Sequence, residues 1–100
     1  MYALQYIIEE MKLNENLKVA DLVGMGCGGA IPNMETACNM LAASDAGPVL
    51  SIAVEVCSAT LFMESAADAV ISNSLFGDGA AAVVMDQVNG NRSGSICQIL

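Results

Sequence analysis

Three glycines surround a single cysteine, Cys27, where a short apolar segment gives way to a helix-like one. The residues from Leu22 to Asn33 read Leu-Val-Gly-Met-Gly-Cys-Gly-Gly-Ala-Ile-Pro-Asn. The apolar run predicts a strand, and the pattern after the glycines predicts a helix. Glycine adopts backbone angles that other residues avoid, and it lets another molecule approach the main chain. We therefore predict a tight strand-to-helix turn that carries Cys27.

The position of Cys27 favours a nucleophilic role. The N–H groups of a first helical turn carry a partial positive charge, which stabilises the thiolate form of a nearby cysteine. An isolated cysteine is more often a small buried side chain. Here the flanking residues Gly26, Gly28 and Gly29 favour the nucleophile over that alternative. Cys27 is therefore the candidate catalytic residue.

The composition is more apolar than that of an ordinary small domain. The chain has 100 residues, of which 55% are apolar, whereas about 45–50% is typical of soluble domains. One hundred residues form at most one small domain. We therefore expect residues 1–100 to be a single partial domain of a larger fold.

Charge and hydropathy exclude several classes of partner. The net charge is −8, and the three basic residues are scattered, whereas nucleic acids and anionic membranes require clustered Lys and Arg. No apolar run approaches the roughly 18 residues that span a bilayer, and the N-terminus lacks a signal-peptide pattern. We expect a soluble cytoplasmic protein that binds neither nucleic acid nor membrane.

The cysteines do not suggest a metal site or a disulfide framework. The chain has four cysteines and no histidine, and no two cysteines form a Cys-x-x-Cys pair. Zinc sites commonly use such pairs together with histidine. Cytoplasmic thiols are kept reduced. We therefore expect no bound metal and no disulfides.

Helical and strand-like patterns alternate along the chain, which favours a layered α/β architecture. The apolar stripe of the helix after the cysteine turn places Cys38 in the core, together with Ile31, Met34 and Leu41. A strand that is apolar on both faces is expected at the centre of a sheet. The predicted helices are Leu4–Met11, a segment that runs from Pro32 to a turn at Ser44–Pro48, and Ser65–Leu75. The last of these is expected to turn Ala69, Val70 and Leu75 inward. The predicted strands are Val19–Met25, Val49–Val56, Ala80–Met85 and, after a turn at Asn89–Gly94, Ser95–Leu100.

A second glycine-rich segment, Phe76-Gly77-Asp78-Gly79, predicts another tight turn. It is not a phosphate-binding P-loop, because the required Lys and Ser/Thr do not follow it. Taken with Gly24-Met25-Gly26-Cys27 and the apolar strand between them, it resembles the thiolase superfamily. Within that superfamily the chain most resembles the type III polyketide synthases, the chalcone synthase-like enzymes. The segment from Val54 to Thr60, Val-Glu-Val-Cys-Ser-Ala-Thr, is similar to bacterial members.

The resemblance implies a fold and a set of roles. The fold would be thiolase-like, a central mixed sheet with helices on both faces, and this chain would be an incomplete part of its N-terminal half. Cys27 would accept an acyl group from a coenzyme A thioester, and decarboxylated malonyl-CoA would then attack that group. Coenzyme A thioesters would be substrates, and no cofactor is implied. Cys57 and Thr60 would line the pocket for the growing chain, and Phe76, with Gly77 beside it, would stand at its entrance. From the residues alone, a plain core position is favoured for both Cys57 and Phe76.

The same resemblance implies a homodimer when the protein is full length. It also implies a catalytic His and Asn from the C-terminal half, so the 100 residues are expected to be inactive alone. Two alternatives remain. One is the ketoacyl synthase that initiates fatty acid synthesis, although that group has alanine-rich residues where this chain has Gly24-Met25-Gly26. The other is a non-catalytic remnant or an interaction module.

Overall fold

A computed structural model describes residues 3–14, 16–43, 47–63 and 65–87. Within these ranges the chain forms three α-helices and two β-strands. Two short 3₁₀ turns, Gly26–Gly28 and Cys57–Thr60, lie between them. The elements are α1 (Ala3–Glu10), α2 (Ala30–Ala42), β1 (Val49–Glu55), α3 (Ala67–Leu75) and β2 (Gly79–Met85).

The two strands form an antiparallel sheet. Val49 lies opposite Met85 at one end of the pair, and Glu55 lies opposite Gly79 at the other. Both strands were predicted from the sequence, and both are confirmed. Helix α2 packs against β1 and β2, whereas α1 and α3 contact neither strand in the described part of the chain. The arrangement is that of an incomplete α/β unit, with a helix on one face of a two-stranded sheet.

Helix α2 begins as its sequence predicts. Pro32 lies in the first turn, where a missing N–H leaves no hydrogen bond unmade. The Thr36 hydroxyl donates to the carbonyl oxygen of Pro32 at 2.8 Å. The helix faces the sheet with the row Asn33, Ala37 and Leu41, whose members are four residues apart and share one side. Ala37 is 3% exposed, so its small side chain lets the helix lie close to the strands.

The predicted apolar stripe of α2 is only partly correct. Cys38, expected in the core, is half-buried, as is Leu41. Ile31 and Met34 are exposed. Ala37, one position before Cys38, is the buried residue of α2. The buried face of the helix is therefore offset from the one that the hydropathy pattern alone would give.

The strand predicted at Val19–Met25 is wrong. Residues 17–23 form no regular secondary structure, and Val19 and Val23 are exposed. A strand needs a neighbour to satisfy its N–H and C=O groups. In the part of the chain that is described, β1 and β2 pair with each other, and neither pairs with this segment.

The two outer helices are confirmed as elements. In α1, Ile7 and Ile8 are half-buried and Glu9 and Glu10 exposed, as its periodicity predicts. Helix α3 was expected to turn Val70 and Leu75 inward, but both are exposed, and only Ala69 of the predicted set is half-buried. The reason is that α3 packs against no other helix or strand among the described residues. The turn at Asn89–Gly94, the strand Ser95–Leu100 and most of the turn at Ser44–Pro48 fall outside the described residues.

The core of the described region is small. Its buried apolar residues are Ala37 and Met85, and its buried polar residue is Ser51. They belong to α2, β1 and β2, the three elements that pack together. None of the described helices has the length and apolar character needed to cross a membrane.

Candidate active site

Cys27 lies in a single 3₁₀ turn that leads directly into α2. The Gly29 N–H donates to the Gly26 carbonyl at 3.1 Å and closes the turn, and the Asn33 N–H donates to the Gly29 carbonyl at 3.1 Å and opens the helix. The Cys27 side chain is exposed. The thiol is therefore accessible, and it precedes a 13-residue helix whose first N–H groups have no partner within the helix.

Two of the glycines before the helix have a conformation that favours glycine. Gly24 has φ +77° and Gly26 has φ +57°, in the left-handed region that costs other residues free energy. Gly29, in contrast, has φ −67°. A Cβ there would lie 3.3 Å from the Gly26 carbonyl oxygen, a tight contact that glycine avoids. Unusual backbone angles are expected from the sequence at Gly26, Gly28 and Gly29, whereas the structure has positive φ at Gly24 and Gly26.

The direction of α2 brings its N-terminus to the end of the sheet that carries the other motifs. Asn33, in the first turns of α2, donates from Nδ2 to the Ile52 carbonyl at 3.0 Å. Near the other end of α2, the Leu41 carbonyl accepts a hydrogen bond from Gln87 Nε2, just beyond β2. Helix α2 therefore runs opposite to β1. Cys27, before the helix, lies towards the strand end formed by the pair Glu55 and Gly79.

Asp78 joins the two other motifs at this end. Its Oδ1 accepts a hydrogen bond from the Ser58 N–H at 2.7 Å, and its Oδ2 accepts one from the Ser58 hydroxyl at 2.6 Å. The Ser58 hydroxyl and N–H, followed by the backbone of Cys57, hold the pKa of the Asp78 carboxyl below its ordinary value. A carboxylate from the second glycine-rich segment thus binds the turn that follows β1.

Cys57 is half-buried at the start of that turn. Loss of solvation raises the pKa of its thiol above the ordinary value, and the nearby charges of Glu55, Asp78 and Cys27 raise it further. The Thr60 hydroxyl donates to the Cys57 carbonyl at 3.0 Å. Cys57 and Thr60, both predicted from the sequence as site residues, therefore belong to one compact turn.

Phe76 and Gly77 lie between α3 and Asp78. The Phe76 N–H donates to the Ser72 carbonyl at 3.2 Å and ends the helix. Its side chain is 62% exposed, so Phe76 is not a core aromatic in the described structure. Both residues lie within two positions of Asp78, and they reach the same end of the sheet.

Two open hollows occur elsewhere on the described surface, and neither includes Cys27. One, of about 370 Å³, lies between α1 and the segment after it and is lined by residues such as Leu4, Ile8 and Val19. The other, of about 280 Å³, lies beside α3 and includes Phe62 and Asn73.

Sequence reasoning missed three residues that organise this site. Asn33, Ser58 and Asp78 each belong to a segment that the sequence marks as a turn or a family motif, and none of the three is a predicted site residue. Asp78 had a detectable signal: it immediately precedes a predicted strand that could pair with the strand ending before Cys57. Pairing those strands would have placed the carboxylate beside the Cys57–Thr60 turn.

The family model described as FAE1/type III polyketide synthase-like protein matches residues 3–99. The chain belongs to this family. No solved structure gave a significant match.

The chain is similar to several characterised bacterial polyketide synthases. The chain is 34% identical over 79 residues to a 3,5-dihydroxyphenylacetyl-CoA synthase of Streptomyces toyocaensis, covering 79% of this chain and 20% of the relative. It is 33% identical over 79 residues to the alpha-pyrone synthesis polyketide synthase-like Pks18 of Mycobacterium tuberculosis, with the same coverage. It is 29% identical over 85 residues to a 1,3,6,8-tetrahydroxynaphthalene synthase of Streptomyces peucetius, covering 85% of this chain and 22% of the relative. The chain thus spans about a fifth of the length of these polyketide synthases.

Proposed function

We propose that this chain is the nucleophile-bearing part of an acyltransferase that condenses an acyl-CoA starter with malonyl-CoA. Cys27 carries the acyl intermediate. The observation that carries the proposal is the exposed Cys27 thiol on a glycine turn at the start of α2, in a chain of the type III polyketide synthase-like family. The names of the relatives agree with it, since they describe polyketide synthases and one product that is itself a coenzyme A thioester.

The proposed chemistry has two steps at one sulfur. The Cys27 thiolate attacks the thioester carbonyl of the starter, and the coenzyme A thiolate leaves and takes a proton, so that an acyl thioester forms on Sγ. Malonyl-CoA then loses CO₂, and its carbanion attacks the acyl carbonyl on Cys27. The new carbon–carbon bond forms as Sγ leaves, which regenerates the Cys27 thiolate.

The proposal assigns supporting roles to the neighbouring residues. Cys57 and Thr60 form one wall of the pocket for the growing chain, and Phe76 and Gly77 border its entrance. The proposal also includes a thiolase-like fold, a cytoplasmic homodimer, and coenzyme A thioesters as substrates without a cofactor. Residues outside the 100 would supply the His and Asn that stabilise the carbanion and the oxyanion.

The test is a search for the acyl intermediate. The protein, expressed from its natural reading frame, is incubated with a panel of acyl-CoA starters, then digested and analysed by peptide mass spectrometry. We expect an acyl adduct on the peptide that contains Cys27. With malonyl-CoA present, we expect condensation products that the Cys27→Ser variant forms at least about 10³-fold more slowly, because no other group replaces the nucleophile.

Cys38→Ser is the matched control, because Cys38 lies on α2 but is half-buried and away from the turn. It should retain the adduct and the products. An adduct on another cysteine, or undiminished condensation by Cys27→Ser, would overturn the proposal.

A further inference from the structure

A side-chain hydrogen bond joins helix α3 to the segment that follows the Cys57–Thr60 turn. Asn73 donates from Nδ2 to the Phe62 carbonyl at 2.6 Å. The two residues are 11 positions apart in the chain, so this bond closes a loop that includes most of the helix. Neither residue has a part in the proposed chemistry.

Asn73 lies on the side of α3 that faces this segment. Ala69 and Asn73 are the half-buried residues of the helix, and their spacing of four places them on one face. Both border the hollow of about 280 Å³ that Phe62 also lines. Helix α3 contacts no other helix or strand among the described residues. The face that carries Asn73 is therefore turned to an irregular segment of the chain.

A second link joins the same two stretches of chain. Ser58 donates from its N–H and its hydroxyl to the Asp78 carboxylate, at 2.7 and 2.6 Å. The two links and the chain between them form a closed ring. Thr60 lies on one side of the ring, two residues after Ser58, and Phe76 lies on the other side, two residues before Asp78. Because the ring is closed at both ends, each link limits how far apart Thr60 and Phe76 can move.

We propose that Asn73 is a positioning residue that sets the separation of Thr60 and Phe76, and thereby the size of the acyl group that the site accepts. The functional part of this inference rests on the proposed function, in which Thr60 forms a wall of the pocket and Phe76 borders its entrance. The link itself rests on the Asn73 bond and on the half-buried face of α3. Without the amide donor, water would hydrate the Phe62 carbonyl instead, and the segment would be free to move away from the helix.

Two substitutions of Asn73 separate the amide donor from the size of the side chain. Asn73→Asp keeps the shape but replaces the donor with an acceptor, which repels the Phe62 carbonyl. Asn73→Gln keeps the amide donor on a longer side chain. Ser74→Ala is the matched control, because it removes a bond that stays within α3, from the Ser74 hydroxyl to the Ile71 carbonyl at 2.7 Å. Melting curves confirm that each variant, made in the protein from its natural reading frame, is folded.

The first readout is amide hydrogen exchange, which needs no turnover. The Leu61 N–H donates to the Ser58 carbonyl at 3.4 Å, and this bond should open more often once the segment is released from α3. In Asn73→Asp the peptide covering Ala59–Met63 should exchange about 3- to 10-fold faster than in the wild type, as expected for the loss of one hydrogen bond. Ser74→Ala should exchange at the wild-type rate, and Asn73→Gln should lie closer to the wild type than Asn73→Asp does. Unchanged exchange in Asn73→Asp would overturn the link.

The second readout is the choice of starter, measured as kcat/KM for acyl-CoA starters of increasing chain length. A wall that is free to recede makes room for longer chains. Asn73→Asp should therefore shift the ratio of kcat/KM towards the longer starters by about 10-fold, the effect expected when a pocket gains room for one methylene. Lower stability alone would reduce kcat/KM for all starters by the same factor, and Ser74→Ala should keep the wild-type ratio.

An unchanged ratio in Asn73→Asp, or a shift towards the shorter starters, would overturn the positioning role. The outcome for the proposed function is separate. If the wild type forms no acyl adduct on Cys27, the proposed function fails, whereas the exchange experiment still tests the link between Asn73 and Phe62.

Discussion

The Asn33 side-chain amide donates a hydrogen bond to the Ile52 carbonyl at 3.0 Å, and this bond joins the first turns of α2 to the middle of β1. Asn33 and Ile52 are both half-buried. An unsatisfied carbonyl in such a position costs free energy. The bond therefore fixes the position of the helix N-terminus relative to β1. It thereby also fixes the position of Cys27, which precedes the helix.

Replacing Asn33 should destabilise the protein, whereas replacing Asn39 should not. Asn33→Ala removes the bond to Ile52 and should lower the free energy of unfolding by about 0.5–1.5 kcal/mol relative to Asn39→Ala. Asn39 is an exposed residue of the same helix, so both variants gain the same helix propensity. Chemical denaturation of the two variants measures the difference. Equal stabilities would show that the bond contributes nothing.

The two glycines with positive φ should tolerate alanine less well than their neighbour. Gly24→Ala and Gly26→Ala should each cost about 1–2 kcal/mol of stability, because alanine is strained in the left-handed region. Gly28→Ala is the control: its φ is not positive and a Cβ there meets nothing within 4 Å. Denaturation curves of the three variants give the comparison. A Gly28→Ala variant as unstable as the other two would mean that backbone angle is not the cause.

The Asp78 bond should make stability depend on pH in the acidic range. The folded-state pKa of Asp78 lies below the ordinary value of 3.8, so the unfolded chain binds more protons in that range. The stabilisation is therefore complete above pH 3.8 and is lost as the pH falls through the folded-state value. The melting temperature of the wild type should exceed that of Asp78→Ala at about pH 6, and the difference should shrink below 3.8. A difference that stays constant with pH would contradict this prediction.

The sequence predicted best what depends on neighbouring residues. Helix α2 follows from the glycines and Pro32, and β2 follows from a run of small and β-branched residues after Gly79. Val19–Met25 failed because an apolar run indicates a preference for burial but does not identify a partner strand. The rotation of α2 that buries Ala37 rather than Cys38 likewise depends on contacts with the sheet, which hydropathy does not contain.

The candidate site was predicted in its residues but not in its connections. The resemblance to the family selected Cys27, Cys57 and Thr60, and the structure places them at one end of the sheet; their roles in catalysis stay predictions. The bond between Ser58 and Asp78 could not be read from local sequence, because it joins residues 20 positions apart through the register of two strands. The register of two strands is known only once their pairing is known.

Helix α2 is attached to the sheet near both of its ends, through Asn33 to Ile52 and through the Leu41 carbonyl to Gln87. Because both ends are attached, a displacement of the helix moves its two ends together. A shift of one residue along its axis, about 1.5 Å, would carry Cys27 the same distance relative to Cys57. A larger side chain at Ala37, in the middle of α2, would therefore displace the Cys27 sulfur relative to the sheet. Substitutions remote from the thiol can in this way change the position of the nucleophile.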